Sequence, residues 1–260
     1  MRADLFLSAN GYCESRSRAA QSIEAGCIFV NGKCITKASF DIKENDAVEI
    51  RGEAIPDVSR GGLKLRGALE SFGIKCDGLT CVDIGASTGG FTDVLLKNGA
   101  KKVFAVDCGV GQLHPSLAND SRVVNLENFN ARTLTTETLG QAVDMAVMDV
   151  SFISQTLLHT VVANILNGNG IFISLIKPQF EVGRKALTKS GIVKDAREHI
   201  SAIETVVASA KASSLILNAL TVSPISGGDG NREFLALFTK NSSKEFVPTR
   251  DFLKSLTSKK

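Results

Sequence analysis

From residue 80 onward, short apolar runs of strand length alternate with longer stretches in which apolar positions recur at helical spacing. The short runs predict strands at 81–84, 102–107, 121–126, 144–148, 170–176, 215–223 and 233–239. Helices are predicted near 91–98, 154–166 and 194–212. Strands that alternate with helices imply an α/β class and a doubly wound, mostly parallel sheet. Its ligand belongs beyond the carboxyl ends of the strands.

The first 50 residues follow a different rhythm, that of a small α+β unit. Residues 3–7 suit a short helix, and Ser15 can cap a second over 16–25 that Gly26 ends. Two short apolar runs, 27–30 and 33–35, flank Asn31-Gly32, a strong hairpin signal, and 47–50 offers one more strand. A mixed-polarity linker with Pro56 spans 51–58, the α/β domain spans 59–240, and 241–260 reads as a polar, Ser/Lys-rich basic tail, either frayed or a second contact for a partner.

Composition narrows the class without naming a function. Hydrophobic residues make up 43% and charged residues 22%, as in an ordinary globular protein. No apolar run approaches membrane-spanning length and the start has no signal-peptide pattern, so the expected location is cytoplasmic, with no membrane partner. The six cysteines form no Cys-x-x-Cys pair and there are three histidines, so no metal site is expected and the thiols are read as small core residues. A net charge of +3 is too small to imply nucleic acid by itself.

The chemistry concentrates after the first strand of the α/β region. Asp83-Ile84-Gly85-Ala86-Ser87-Thr88-Gly89-Gly90 is a glycine turn whose backbone N–H groups can approach a ligand, and Asp83 could take a cationic amine. The spacing is not the Gly-x-Gly-x-x-Gly of a dinucleotide site, which disfavours a dehydrogenase. Asp107 closes the second strand 24 residues after Asp83, near the interval at which an acid receives ribose hydroxyls. Asn128 and Asn130 are candidates for reading adenine, Asn130 being the better placed.

Two resemblances rest on these residues. Ser15-Arg16-Ser17-Arg18-Ala19-Ala20, followed by Ile23-x-x-Gly26-x-Ile28-x-Val30-Asn31-Gly32, is similar to the αL-type RNA-binding domain. That likeness implies phosphate contacts from Arg2, Arg16, Arg18, Lys33, Lys37 and Arg60, although residues 1–50 hold six Lys or Arg against seven Asp or Glu. Further on, the turn resembles the methyltransferase pattern Asp-x-Gly-x-x-x-Gly-Gly, implying S-adenosylmethionine bound by residues 85–90 with Asp83, Asp107, Asn130 and Asp149. Lys64 in Ser-Arg-Gly-Gly-Leu-Lys-Leu, Asp149 in Asp-Val-Ser-Phe-Ile-Ser, Lys177 in Leu-Ile-Lys-Pro-Gln-Phe-Glu and Glu233 resemble the Lys-Asp-Lys-Glu set of FtsJ-like ribose 2′-O-methyltransferases.

To about residue 240 the chain looks like the TlyA family, ribosomal RNA 2′-O-methyltransferases also described as hemolysins. The likeness implies a Rossmann-like methyltransferase fold with a seven-stranded sheet, and methylation of a cytidine ribose in assembled ribosomal subunits. The compact start suggests the large subunit. A ribose hydroxyl is a poor nucleophile, so Lys177 is expected to take its proton, with its own proton affinity lowered by the nearby charge of Lys64; Asp149 and Glu233 would orient the two lysines. The prolines of a base-amino methyltransferase are absent after Asp149, and Cys81 and Cys108 are read as core, against a cysteine-dependent carbon methyltransferase. The non-enzymatic alternative is a membrane-active hemolysin.

Overall fold

Asn31 and Gly32 both adopt the left-handed conformation, with φ of 49° and 75°, as a tight hairpin turn requires. They join β1 (Ile28–Val30) to β2 (Lys33–Cys34), and β3 (Val48–Ile50) pairs antiparallel on the other side of β1. Ahead of the hairpin lie α1 (Ala3–Ala9) and α2 (Arg16–Glu24); the Ser15 carbonyl accepts the first helical bond of α2. Leu7, Ile23, Ile28, Val30 and Ile42 form the core of this unit, Met1–Arg60. The structure, a computed structural model, describes every residue except 14, 25, 44, 52–57, 228–229, 241–242 and 259–260, and not the side chains of 17, 18, 21 and 24. The side chain of Arg18 and nearly all of the 51–58 linker thus lie outside the described residues.

The second unit, Gly61–Lys260, is the α/β domain. In order come α3 (Gly62–Phe72), β4 (Thr80–Ile84), α4 (Gly90–Lys97), β5 (Lys102–Val106), α5 (Pro115–Ala118), β6 (Val123–Leu126), α6 (Thr136–Leu139) and β7 (Val143–Met148). Then follow α7 (His159–Ile165), β8 (Leu166–Ile176), α8 (Pro178–Glu181), α9 (Ala196–Ala212), β9 (Leu215–Val222), β10 (Phe234–Lys240) and α10 (Arg250–Thr257). The seven strands are ordered β6-β5-β4-β7-β8-β10-β9, and β10 runs antiparallel to both its neighbours. The expected α/β class with a mostly parallel seven-stranded sheet is what forms. Chain order reverses between β4 and β7, and ligands of doubly wound sheets collect beside such a switch.

Three local expectations differ. The helix read over 154–166 is split: Glu181 accepts from Ser154 Oγ and Gln155 N–H, which draws residues 155–157 into a tight 3-10 turn before α7 begins at His159. β8 starts at Leu166, four residues early, because Leu166 pairs with Val143 and Asn167 Nδ2 donates to Asp144. The tail, instead of fraying, forms α10, capped by Thr249 and buried through Leu253, with the ring of Phe252 edge-on to Phe246.

The thiols also depart from expectation. Cys76 and Cys81 are buried, but Cys13 and Cys27 are half-buried and Cys34 and Cys108 exposed. Cys108 follows the end of β5, where the chain leaves the sheet toward solvent. Among the described residues no helix is long and apolar enough to cross a membrane.

Candidate active site

Parallel strands deliver the residues that follow them to one edge of the sheet. Asp149 follows β7 and Lys177 follows β8; β10 runs the other way, so Glu233, just before it, arrives at the same edge. Phe234 pairs with Ile176, which brings Glu233 and Lys177 abreast. Lys64 reaches them from the first turns of α3.

The four side chains meet. Lys64 Nζ donates to Glu233 Oε2 at 2.7 Å and lies 4.0 Å from Asp149 Oδ2, while Lys177 Nζ lies 2.5 Å from Asp149 Oδ1 and donates to Ser151 Oγ at 2.8 Å. Lys64 and Lys177 are buried, and Glu233 is only 2% exposed. Two cations and two carboxylates cancel, the arrangement that makes burial of four charges tolerable. The arrangement refines the expectation about Lys64: Asp149 stands between the two ammonium groups and Glu233 holds Lys64, so Lys177 does not face a bare like charge.

Next to this cluster lies a cavity of about 460 Å³, within the range of small-molecule sites. Gly85, Ser87, Asp107, Asn130 and Asp149 line it; Asn128 does not. A Cβ on Gly85 would lie 2.6 Å from the Asp149 carbonyl oxygen, so only glycine lets the turn approach β7 this closely. Ser87 N–H and Gly109 N–H donate to the two oxygens of Asp107 at 2.7 Å each, which leaves further lone pairs for a ligand. Asn130 Oδ1 accepts from Arg132 N–H, capping a 3-10 turn over Ala131–Thr133.

The remaining turn residues build the loop without lining the cavity. Ala86 N–H donates to Val106 O, the Thr88 carbonyl accepts from His114 N–H, and Gly89, at φ 93°, leads into Gly90 and α4. Asp83 also departs from the expectation of direct ligand contact. It is fully buried beneath the turn and contributes no wall to the cavity. Its Oδ2 accepts from both N–H and Oγ1 of Thr92, its Oδ1 accepts nothing, and burial pushes its carboxyl up to about 7.

Several residues at the site were not singled out from the sequence. Ser151 and Phe152 line both the large cavity and a second one, of about 320 Å³, that holds Lys64, Lys177 and Glu233. Phe152 is 89% exposed at φ 66°, its ring 5.4 Å from that of Phe180. Cys108, read as core, lines the large cavity. Ser151 and Phe152 sit inside a quoted motif, yet nothing in a motif reveals which side chain faces outward.

In the first unit, Arg2 and Arg16 converge on buried Asp4: Arg2 Nε donates at 3.0 Å and Arg16 Nε at 2.7 Å. Their hydrogen bonds hold the Asp4 carboxyl far below the usual carboxylate range, so it keeps its charge at any ordinary pH. The two arginines remain about half exposed, Lys33 and Lys37 are exposed, and Arg60 is half-buried.

The FtsJ-like methyltransferase family matches residues 58–240, and the S4 domain matches residues 1–48. Hemolysin A of Brachyspira hyodysenteriae is 45% identical over 243 residues, covering 92% of this chain and 99% of that protein. The 16S/23S rRNA (cytidine-2′-O)-methyltransferase TlyA of Mycobacterium tuberculosis is 39% identical over 234 residues, 90% of this chain and 87% of the relative. A provisionally named hemolysin from Streptococcus thermophilus has a solved structure that superposes with a TM-score of 0.78 at 39% identity, over 99% of this chain and 94% of the other. With an S4 domain ahead of an FtsJ-like domain and relatives of both names along nearly its whole length, this chain belongs to the TlyA family of FtsJ-like methyltransferases.

Proposed function

We propose that the protein transfers a methyl group from S-adenosylmethionine to the 2′-hydroxyl of a cytidine in ribosomal RNA, with large-subunit RNA as the substrate. The observation that carries this reading is the convergence of Lys64, Asp149, Lys177 and Glu233 beside the 460 Å³ cavity. The two relatives named hemolysin A and TlyA align over 92% and 90% of the chain, so the two names describe one family and the lytic reading is not preferred.

The cavity suits the methyl donor. Asp107 has lone pairs for the ribose hydroxyls, Asn130 stands where an adenine edge can be read, and the missing Cβ at Gly85 leaves the backbone open. Asp83 holds the loop from below through Thr92. Bound there, S-adenosylmethionine supplies a methyl group made electrophilic by its sulfonium.

The protein's own contribution is to place a hydroxyl and take its proton. Lys177, in its amine form, accepts the proton of the sugar hydroxyl; Ser151 and Asp149 fix the position of that amine. Glu233 orients Lys64, whose ammonium draws the other side of Asp149 and keeps the carboxylate in place. Holding hydroxyl and methyl in line accounts for most of the acceleration. Phe152, projecting at the junction of the two cavities, offers a face on which the target base can stack. Cys108 lies on the donor side and not beside Lys177, which argues against a cysteine-dependent attack on carbon.

The test is transfer of labelled methyl to large and small ribosomal subunits lacking the modification, followed by nucleoside analysis. The expected product is 2′-O-methylcytidine in large-subunit RNA. Lys177→Ala should lower the rate by about 10²–10⁴-fold, the usual contribution of a general base. A base-methylated product, or a Lys177→Ala protein of normal rate, would refute the reading.

A further inference from the structure

Glu233 has a second side. Behind it lies another cavity, of about 410 Å³, bounded by Lys194, His199, Ser223 and Arg232. None of these residues belongs to the methyl-transfer constellation, and the polar groups among them are not at rest.

His199, near the start of α9, is 5% exposed with its ring edge-on to Phe234; the Val193 backbone lies within reach of the ring and Asp195 attracts it, yet neither ring nitrogen makes a hydrogen bond of good geometry. Arg232 donates through Nη1 to the Ser258 carbonyl at 2.6 Å, but its Nε is buried and unpartnered. Buried donors are nearly always paired, so an unpartnered guanidinium nitrogen and a poorly satisfied imidazole, on two residues that line one cavity, point to an occupant that brings acceptors. Lys194 adds an exposed positive charge at the rim. The carboxylate on the wall, Glu233, is already opposed by Lys64 at 2.7 Å. The cavity is therefore net cationic, rich in donors and larger than a bare ion requires.

The walls are also fixed in advance. Asn231, almost wholly buried, accepts from Val193 N–H and donates to the Gly191 carbonyl at 3.0 Å each, pinning the segment that carries Lys194. Arg232 ties the end of α10 to the same place. A tetrahedral anion offers acceptors to a guanidinium, an imidazole and an ammonium together. A neutral imidazole also needs a donor at its second nitrogen. An RNA nucleotide supplies both, a phosphate oxygen and a sugar hydroxyl.

We propose that this 410 Å³ cavity binds a backbone phosphate of the RNA substrate through Arg232, His199 and Lys194. The identity of the nucleic acid rests on the methyltransferase reading; the anion site does not. On that reading Glu233 separates the reacting sugar from a neighbouring phosphate, so that the RNA is gripped on both faces of one carboxylate.

Nitrogen-15 labelling of the full-length protein's three histidines allows the test by NMR. Titration with inorganic phosphate should move the His199 ring signals saturably and leave His114 and His159 unmoved. Arg232→Gln should weaken the response about tenfold or more, the scale of a charge-assisted hydrogen bond. Exposed Lys194→Gln, which leaves the buried groups in place, should weaken it roughly two- to threefold. No movement at His199, or movement undiminished in both variants, would overturn the site. A ribosomal RNA fragment should displace the phosphate; if phosphate and fragment bind side by side, the site belongs to a free anion and its assignment to RNA fails. Calorimetry of methyl-donor binding on the same samples separates the two readings. Normal donor binding with no phosphate response sinks the anion site alone, and the reverse result sinks the methyltransferase reading alone.

Discussion

At Phe152 the backbone adopts a left-handed conformation that costs a side-chain-bearing residue roughly 1–2 kcal/mol, while the ring is left almost entirely in solvent. Among the described residues the ring's aromatic partner is Phe180. Phe152→Gly should therefore leave stability unchanged or raise it by up to about 1 kcal/mol in denaturant melts. Methyl transfer to RNA should fall by about tenfold or more, the scale of losing one base stack. If the variant instead unfolds readily and keeps its activity, the ring serves packing. Asp83 poses the opposite case, a carboxyl whose folded pKa stands near 7 against an ordinary 3.8. Between those values the folded chain keeps a proton that the unfolded chain has released, so stability from this group is full below about pH 4, declines toward pH 7 and is level above. Asp83→Asn should match the parent at pH 4 and exceed it at pH 8 by on the order of 1–3 kcal/mol. Equal stabilities at pH 8 would show the carboxylate to be better solvated than its burial implies. Asp149, Lys177 and Glu233 were legible as charged residue types at strand ends, and Lys64, on helix α3, through the resemblance to the Lys-Asp-Lys-Glu set. Burial and unmet hydrogen bonds are not legible in residue types, which is why Asp83 was assigned to the ligand and His199 passed unnoticed.

Elements whose apolar positions keep one period were legible almost to the residue. Strands β4, β5 and β7 and helix α9 fall within two residues of their predicted bounds. What escaped was structure set by partners distant in sequence. The Glu181 carboxylate breaks the 154–166 helix from 26 residues away, and the pairing of Leu166 with Val143 extends β8. α10 escaped for a related reason: Phe246, Phe252, Leu253 and Leu256 are diluted among lysines and serines, and their burial needs the core already in place. Leu253 is buried, so Leu253→Ala should cost about 2–4 kcal/mol in chemical denaturation. A loss under about 0.5 kcal/mol would mean that α10 is not docked in solution.

The molecule divides into two compact units with separate cores, and their tasks divide with them. In the first unit, Asp4 engages Arg2 and Arg16, leaving Lys33 and Lys37 as exposed cations without that tether. Joint replacement of Lys33 and Lys37 by alanine should weaken binding to ribosomal subunits and lower the salt dependence by about one to two counterions. Methyl-donor affinity, measured by calorimetry, should not change; if it does, the division of labour is wrong. In the second unit the position of Glu233 depends on a ladder. Phe234 lies opposite Ile176, and the pairing of β10 with β9 does not shift until Leu237 and Phe238. Those few rungs act as a ruler: one residue inserted between Glu233 and Leu237 would slide the carboxylate by about 3.4 Å and turn it to the other face of the sheet. Added length ahead of Asn231, whose side chain anchors the segment to Val193 and Gly191, shifts no rung of that ladder. Drift in chain length among these enzymes should accumulate on one side of that carboxylate and halt at the other.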